Sequence, residues 1–467
     1  MPMATTTRVA VLGALVFALA SEAQAQTLDS ALAQAYRTNP TLNSQRAAVR
    51  ATDENVPQAL SGYRPRISGT GTVGNESLTS KGTSTNSLTG LSGTSTIRDT
   101  LDQSSYGVSL TQTLFDGGKT PNQVRQAEAQ VIQARETLRN TEQNVLLDGV
   151  TAYMNVVRDT AIVTLRQQNV TALEEQLRAT RDRFQVGEVT RTDVAQAEAR
   201  LADAQSQLSA AIAQLQTSRA QYRRVIGSEP GKLTQGKPID NTLPASLEAA
   251  VNGGLSRHPA IEAAKHGADA ALLQVNVAEG SLLPTVTLEA SYLRQFETSP
   301  TVDDVMSAQV LGRLTVPIYQ GGAEYSLIRQ AKETLGQKRL DVDVSREQVR
   351  AAVVESWGML QAAKAQIEAT QSAVRANQIA LEGVREEARV GQRTTLDVLN
   401  AQTELVNSQV ALVTAQRDRI VASYSLLSGI GRLSARQLGL KVGEYDDAVH
   451  YNQVRDAWFG VRTPSGK

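Results

Sequence analysis

Apolar side chains recur every seven residues at Val124, Val131, Leu138 and Val145, and again at Ile328, Leu335, Val342 and Val349. A seven-residue period keeps one apolar stripe facing a partner helix, so both stretches read as long helices packed lengthwise as coiled coils. No proline interrupts Asn122–Glu229 or Ile318–Thr463, as unbroken helices require. Other stretches alternate with period two. In "SYGVSLTQTLF", Tyr106, Val108 and Leu110 stand against Ser109, Thr111 and Thr113. "TVTLEASYL" sets Val286, Leu288, Ala290 and Tyr292 against Thr287, Glu289 and Ser291, and "QVLGRLTVPI" sets Val310, Leu314, Val316 and Ile318 against Leu311, Arg313 and Thr315. Runs of about ten residues with one apolar side fit a half-buried soluble strand or a transmembrane β-strand. The remaining strand, "RISGTGTVG" from Arg66, is weak and glycine-rich. Asn75–Ser104 is more than half Ser, Thr and Gly and reads as a mobile, exposed loop.

The two coiled-coil stripes lie 204 residues apart, and the same offset recurs elsewhere. "LFDGGKTPNQVRQAEA" from Leu114 aligns with "IYQGGAEYSLIRQAKE" from Ile318, pairing the strand-to-helix hinges Gly117-Gly118 and Gly321-Gly322. "RFQVGEVTRTDV" aligns with "ARVGQRTTLDV", pairing Gly187 with Gly391 and Asp193 with Asp397. Upstream, "LDSALAQAYRTNP" from Leu28 resembles "LEAAVNGGLSRHP" from Leu247 at an offset of 219, which puts an insertion in the first half between Pro65 and Gly117. The chain is a tandem duplication. The first repeat, residues 26–227, has expected helices at about 28–56, 122–184 and 192–226 and a hairpin at about 66–115. The second, 247–431, has helices at about 246–276, 323–388 and 396–428 and a hairpin at about 285–318. In each half the two short helices together match the long one, which suggests rods of about 95 Å at 1.5 Å per residue. Residues 228–246, rich in Pro and Gly, form the linker, and 432–467 follow the last helix, ending in an expected disordered tail.

Composition narrows the setting. Lys and Arg number 47 against 47 Asp and Glu, which gives no electrostatic case for nucleic acid. Arg8 precedes the apolar run Val9–Ala20, and small residues at Ala23 and Ala25 suit cleavage, so residues 1–25 read as a secretory signal peptide. Twelve apolar residues are too few to span a bilayer. There is no cysteine, which excludes disulfides and thiol chemistry. No nucleotide loop, metal cluster or nucleophile elbow is present, so no enzyme, cofactor or metal is expected. His258 stands opposite Asn39 in the repeat and suits a helix start better than a metal pair with His266. Trp357 and Trp458 read as packing residues. Thr190-x-x-Asp193 and Thr394-x-x-Asp397, after the turn glycines Gly187 and Gly391, fit capping boxes.

The doubled plan, the "FDGG" and "YQGG" hinges and the "VGEVTRTDV" and "VGQRTTLDVL" turns resemble the TolC family of outer-membrane efflux proteins over essentially the whole mature chain. That resemblance implies an α+β membrane protein whose long coiled-coil helices build a periplasmic α-barrel. Four strands per chain would contribute to a twelve-stranded outer-membrane β-barrel in a homotrimer. It implies a passive exit duct for drugs or secreted proteins, set in outer-membrane lipid and docked to a periplasmic adaptor and an inner-membrane pump. Residues 432–467 would join a belt around the helices. The matching turns would form the periplasmic gate, with Asp397 ringing the pore and Arg393 linking to Asp193 or Thr192. Asn400 stands where a second acidic residue would lie, and Ala388 where a tyrosine would, so a weaker ring and a looser gate are expected. The alternative is a periplasmic coiled-coil adaptor or structural protein, which a membrane helix or lipidated cysteine would normally accompany.

Overall fold

A computed structural model describes residues 26–299 and 302–464; the expected signal peptide lies outside the described residues. Helices α1 (Leu28–Thr38), α2 (Pro40–Asp53) and α3 (Asn55–Leu60) lead into strands β1 (Arg66–Thr85) and β2 (Ser92–Phe115). The 67-residue α4 (Lys119–Gln185) then turns into α5 (Arg191–Ile226). The second half repeats this with α6 (Leu247–Arg257), α7 (Pro259–Glu279), β3 (Thr285–Ser299), β4 (Val302–Thr315), the 67-residue α8 (Ala323–Arg389) and α9 (Thr395–Gly429). A short α10 (Ala448–Val454) follows. Among the described residues no helix is long and apolar enough to cross a membrane.

Two sequence expectations are corrected. The single helices expected at 28–56 and 246–276 are broken, each before a proline. Proline lacks an N–H and pushes its predecessor out of the helical region. Asn39 (φ −61°, ψ 123°) and His258 (φ −68°, ψ 129°) therefore stand extended. Each then caps the next helix: Asn39 Oδ1 accepts from the N–H of Thr41 at 2.9 Å and of Leu42 at 3.2 Å, and His258 Nδ1 accepts from Ala260 at 3.2 Å. The second correction concerns Asn75–Ser104. Strand β1 continues to Thr85 and β2 begins at Ser92, so the expected loop shrinks to the six residues between them. Threonine suits strands, and cross-strand hydroxyl pairs join Ser68 to Ser109 (2.8 Å), Thr72 to Ser105 (2.6 Å) and Thr85 to Ser92 (2.9 Å).

The four strands form one antiparallel sheet in the order β1-β2-β3-β4. Register sets its faces. Ile67, Leu110, Ala290 and Val310 stand in one row across the sheet, and Val108, Tyr292 and Ala308 stand in another on the same face. The opposite face carries Ser68, Ser109, Ser291 and Gln309 in a row. Glu289 and Arg313 lie on that polar face, bound by two hydrogen bonds of 2.9 and 3.0 Å. Pairing of β2 with β3 ends at Ser104–Phe296, so beyond it β1 and β2 pair only with each other.

The chain divides into two compact units. One holds the chain up to Ala35, 149–237 and 367–420. Its core gathers Val170, Leu173, Leu177, Ala197, Ala204 and Leu399. Here the Tyr153 hydroxyl lies 2.7 Å from the carbonyls of both Gln26 and Thr234, tying the start of the described chain to the linker. The other unit holds 36–148, 238–366 and the chain from 421, including the sheet. In it the seven-residue positions Val131, Leu138, Val145, Ile328, Leu335, Val342 and Val349 are all buried, as lengthwise packing requires. Helix α10 rests there on Val56 and Val131 through Tyr451. His450 Nδ1 lies 3.0 Å from the fully buried Asp53 carboxylate, whose pKa is raised by burial, with the His450 hydrogen bond and Arg135 acting against it.

Candidate functional site

The conserved-in-spacing turns of the two halves are built alike within one unit. Gly187 and Gly391 adopt φ of 79° and 81°, a left-handed conformation that closes a helix and favours glycine. The next N–H returns to the helix five residues back: Glu188 to the Arg183 carbonyl and Gln392 to that of Glu387, both at 2.9 Å. A capping box opens the following helix. The Asp193 carboxylate accepts from the Thr190 N–H (2.8 Å) and hydroxyl (2.7 Å), while the Asp193 N–H donates to the Thr190 hydroxyl (3.3 Å). Asp397 and Thr394 repeat this at 3.0, 2.9 and 3.2 Å. These bonds favour the ionised carboxylates and hold both below the usual aspartate range, through the Thr190 hydroxyl first for Asp193 and the Thr394 backbone first for Asp397.

Where the two turns differ is in charge. In the first, Arg183 on α4 pairs with Glu188 in the turn at 2.7 Å; in the second, Glu387 on α8 pairs with Arg393 in the turn at 2.9 Å. Arg183 and Glu387 are equivalent by the 204-residue offset, but their turn partners are not: Arg393 corresponds to Val189, one residue past Glu188, so each turn makes a helix-to-turn ion pair of opposite polarity at a neighbouring position. Within the chain Arg393 thus engages Glu387, six residues earlier at the end of α8, and a link from Arg393 to Asp193 or Thr192 remains a proposal for the assembled gate. Thr192 is exposed on the first turn of α5. Asn400 accepts from Arg200 on α5 at 2.7 Å, a tie between the halves. A second duplicated contact, unnoticed in the sequence, braces each turn: Arg181 to Glu198 at 2.6 Å and Arg385 to Gln402 at 2.9 Å. Both members of each pair are offset by 204, which is the signal that could have found it.

At the sheet, Gly117, Gly118, Gly321 and Gly322 all have positive φ, from 73° to 88°. A Cβ on Gly117 would run into the carbonyl of Gly280 at the end of α7, whereas the space around Gly321 and Gly322 is open. Asp116 caps the start of α4 by accepting from the Thr120 N–H at 2.7 Å. These hinges bring strand β2 and α7 together at the base of the sheet.

The sequence profile described as "Outer membrane efflux protein" matches residues 9–228 and 251–432. The chain is 45% identical to the outer membrane efflux protein BepC of Brucella suis over 95% of this chain and 94% of that one. It is 26% identical to the outer membrane protein TolC of Escherichia coli, covering 92% and 87%. Among solved structures, the Campylobacter jejuni CmeC outer membrane channel superposes with a TM-score of 0.75 at 16% identity, over 92% of this chain and 89% of that one. The match rules against the adaptor alternative, since it runs over nearly the full length of relatives described as outer membrane proteins. The chain belongs to the outer membrane efflux protein family, the TolC family of channels.

Proposed function

We propose that three copies of the chain pool their strands into one twelve-stranded barrel in the outer membrane, continued by the helices as a periplasmic exit duct. The observation that carries this is the sheet. It has four strands, one apolar face, and outer edges on β1 and β4 that no described strand covers. Lipid offers no hydrogen bonds to such edges, and four strands cannot close on themselves. An even count leaves β1 and β4 running in opposite senses, so a neighbour's β4 continues the antiparallel pattern beside β1. The apolar rows through Val108, Leu110, Leu288, Tyr292, Leu314 and Val316 face lipid, and the opposite face, with Ser109, Glu289 and Arg313, faces water. The duct is passive. A pump in the inner membrane and a periplasmic adaptor deliver the cargo, whether drugs or secreted proteins.

In this reading the paired turns are the periplasmic gate. Three copies of Asp397 surround the opening and favour cations, because like charges around a narrow mouth focus the field. Asn400, engaged by Arg200, adds no second ring. The Glu387–Arg393 pair holds the second turn closed on itself. The test is single-channel conductance of the purified trimer in planar bilayers. Arg393→Ala raises conductance and Asp397→Asn lowers cation selectivity; if both leave these properties unchanged, the turns are helix caps only. Deleting the gene and following drug sensitivity beside the secreted proteins identifies the cargo.

A further inference from the structure

Beyond α10 the chain carries apolar side chains that no packing within the molecule explains. Trp458 is 66% exposed, Phe459 95% and Val461 101%, so the sequence reading of Trp458 as a packing residue is corrected. The Arg64 guanidinium lies over its ring, 4.7 Å from the ring centre. Arg64 also donates to the Ala457 carbonyl at 2.6 Å, which fixes this segment in one place. That place is informative. Arg64 stands two residues before β1 begins, at the end of the sheet where strands give way to helices. Tyr63 and Phe115 at the same feet of the strands are 52% and 48% exposed, and Ile67, the first residue of the apolar face, is 68% exposed.

We propose that Trp458 and Phe459 are an interfacial anchor that enters the inner leaflet of the outer membrane beside the feet of the strands. Aromatic rings with one apolar body and one polar handle settle at the boundary between headgroups and acyl chains. The contacts with Arg64 hold the segment at the end of the sheet where strands give way to helices. Arg64 at the ring and Arg66, the first residue of β1, put positive charge at this end of the sheet, suited to phospholipid phosphates. The occupant is thus a glycerophospholipid surface. The inference rests on the strands crossing the outer membrane.

The chain has two tryptophans, Trp357 and Trp458, which makes the test direct. The full-length trimer is reconstituted in vesicles of phosphatidylethanolamine and phosphatidylcholine, with and without bromine on the phosphatidylcholine acyl chains. Brominated lipid quenches wild-type tryptophan emission, and Trp458→Phe removes most of that quenching, leaving Trp357 alone. Adding Val310→Trp to the Trp458→Phe variant reports the strand face and restores quenching. If brominated lipid quenches the wild type no more than Trp458→Phe while Val310→Trp is quenched, the strands cross lipid but the anchor is wrong. Iodide quenching of Trp458 would then place the ring in water, and protection from both quenchers would place it under another copy. If neither Trp458 nor the tryptophan introduced at 310 is quenched, the strand reading falls and the anchor with it.

Discussion

Asn39 and His258 do one job with different chemistry. Each precedes a proline and caps the next helix with a side-chain acceptor, but imidazole accepts only while Nδ1 is unprotonated. Burial lowers the His258 pKa, against a hydrogen bond to the Ser428 backbone. The folded chain therefore favours neutral His258. Its contribution is complete above the ordinary histidine pKa of about 6.5 and is lost as pH falls below that value, where the unfolded chain binds the proton first. Thermal unfolding followed from pH 7.5 to 5 tests this. His258→Asn keeps the cap and flattens the pH dependence, while His258→Ala costs about 1 kcal/mol at pH 7; equal slopes for wild type and His258→Asn would refute it. Strand faces are also set one residue at a time. Arg on the lipid face costs about 2–4 kcal/mol at mid-bilayer and about 0–1 near an interface, so Leu288→Arg, close to the foot of β3, lowers assembled trimer modestly, whereas Thr287→Arg, on the water-facing side, is tolerated. Equal trimer yields would defeat the orientation. The capping boxes were legible in the sequence because Thr and Asp three apart already specify the bonds. The partner of Arg393 was not, because contacts across a turn do not follow helical spacing. Nor was the exposure of Trp458, since residue type alone does not say whether an aromatic meets protein or lipid.

Elements are legible where a period runs unbroken. The seven-residue stripe marks α4 and α8 because a buried seam needs an apolar residue at each turn of the repeat, and those positions are buried in the structure, save Val124 at the start of α4, which is half-buried. Leu138→Asp and Val342→Asp would each place a charge in that seam at a cost of several kcal/mol. Trimer recovered from the membrane falls for both, as read on a native gel; normal yields would mean that these faces meet water. His258, opposite Asn39, reads as a helix start and is one, yet the apolar pattern continues through both positions, so the flanking helices read as single while one proline decides the backbone. The arms of β1 and β2 were missed for the opposite reason. Apolar residues there are sparse, Leu78, Ile97 and Leu101, of which Leu101 alone is buried, so no alternation marks a strand, and main-chain pairing with threonine hydroxyl contacts holds it.

For the whole molecule, duplication was the strongest signal, since a fixed offset of 204 aligns hinges, heptads and turns at once. What one sequence cannot write is the closure of the sheet, because the missing neighbours of β1 and β4 belong to other copies. That closure is the central claim, and cysteine cross-linking tests it most directly in a chain with no cysteine of its own. Thr70→Cys on β1 is combined in turn with Gln309→Cys, Leu311→Cys or Arg313→Cys on β4, all on the polar face. Within one chain β1 and β4 are separated by two strands, or about 14 Å at 4.8 Å per step. That is well beyond the roughly 7 Å limit for a disulfide. Any disulfide therefore joins two chains. The account predicts a covalent trimer on a non-reducing gel for at least one pairing, absent for each single cysteine; membrane-inserted protein that stays monomeric at every pairing would contradict it.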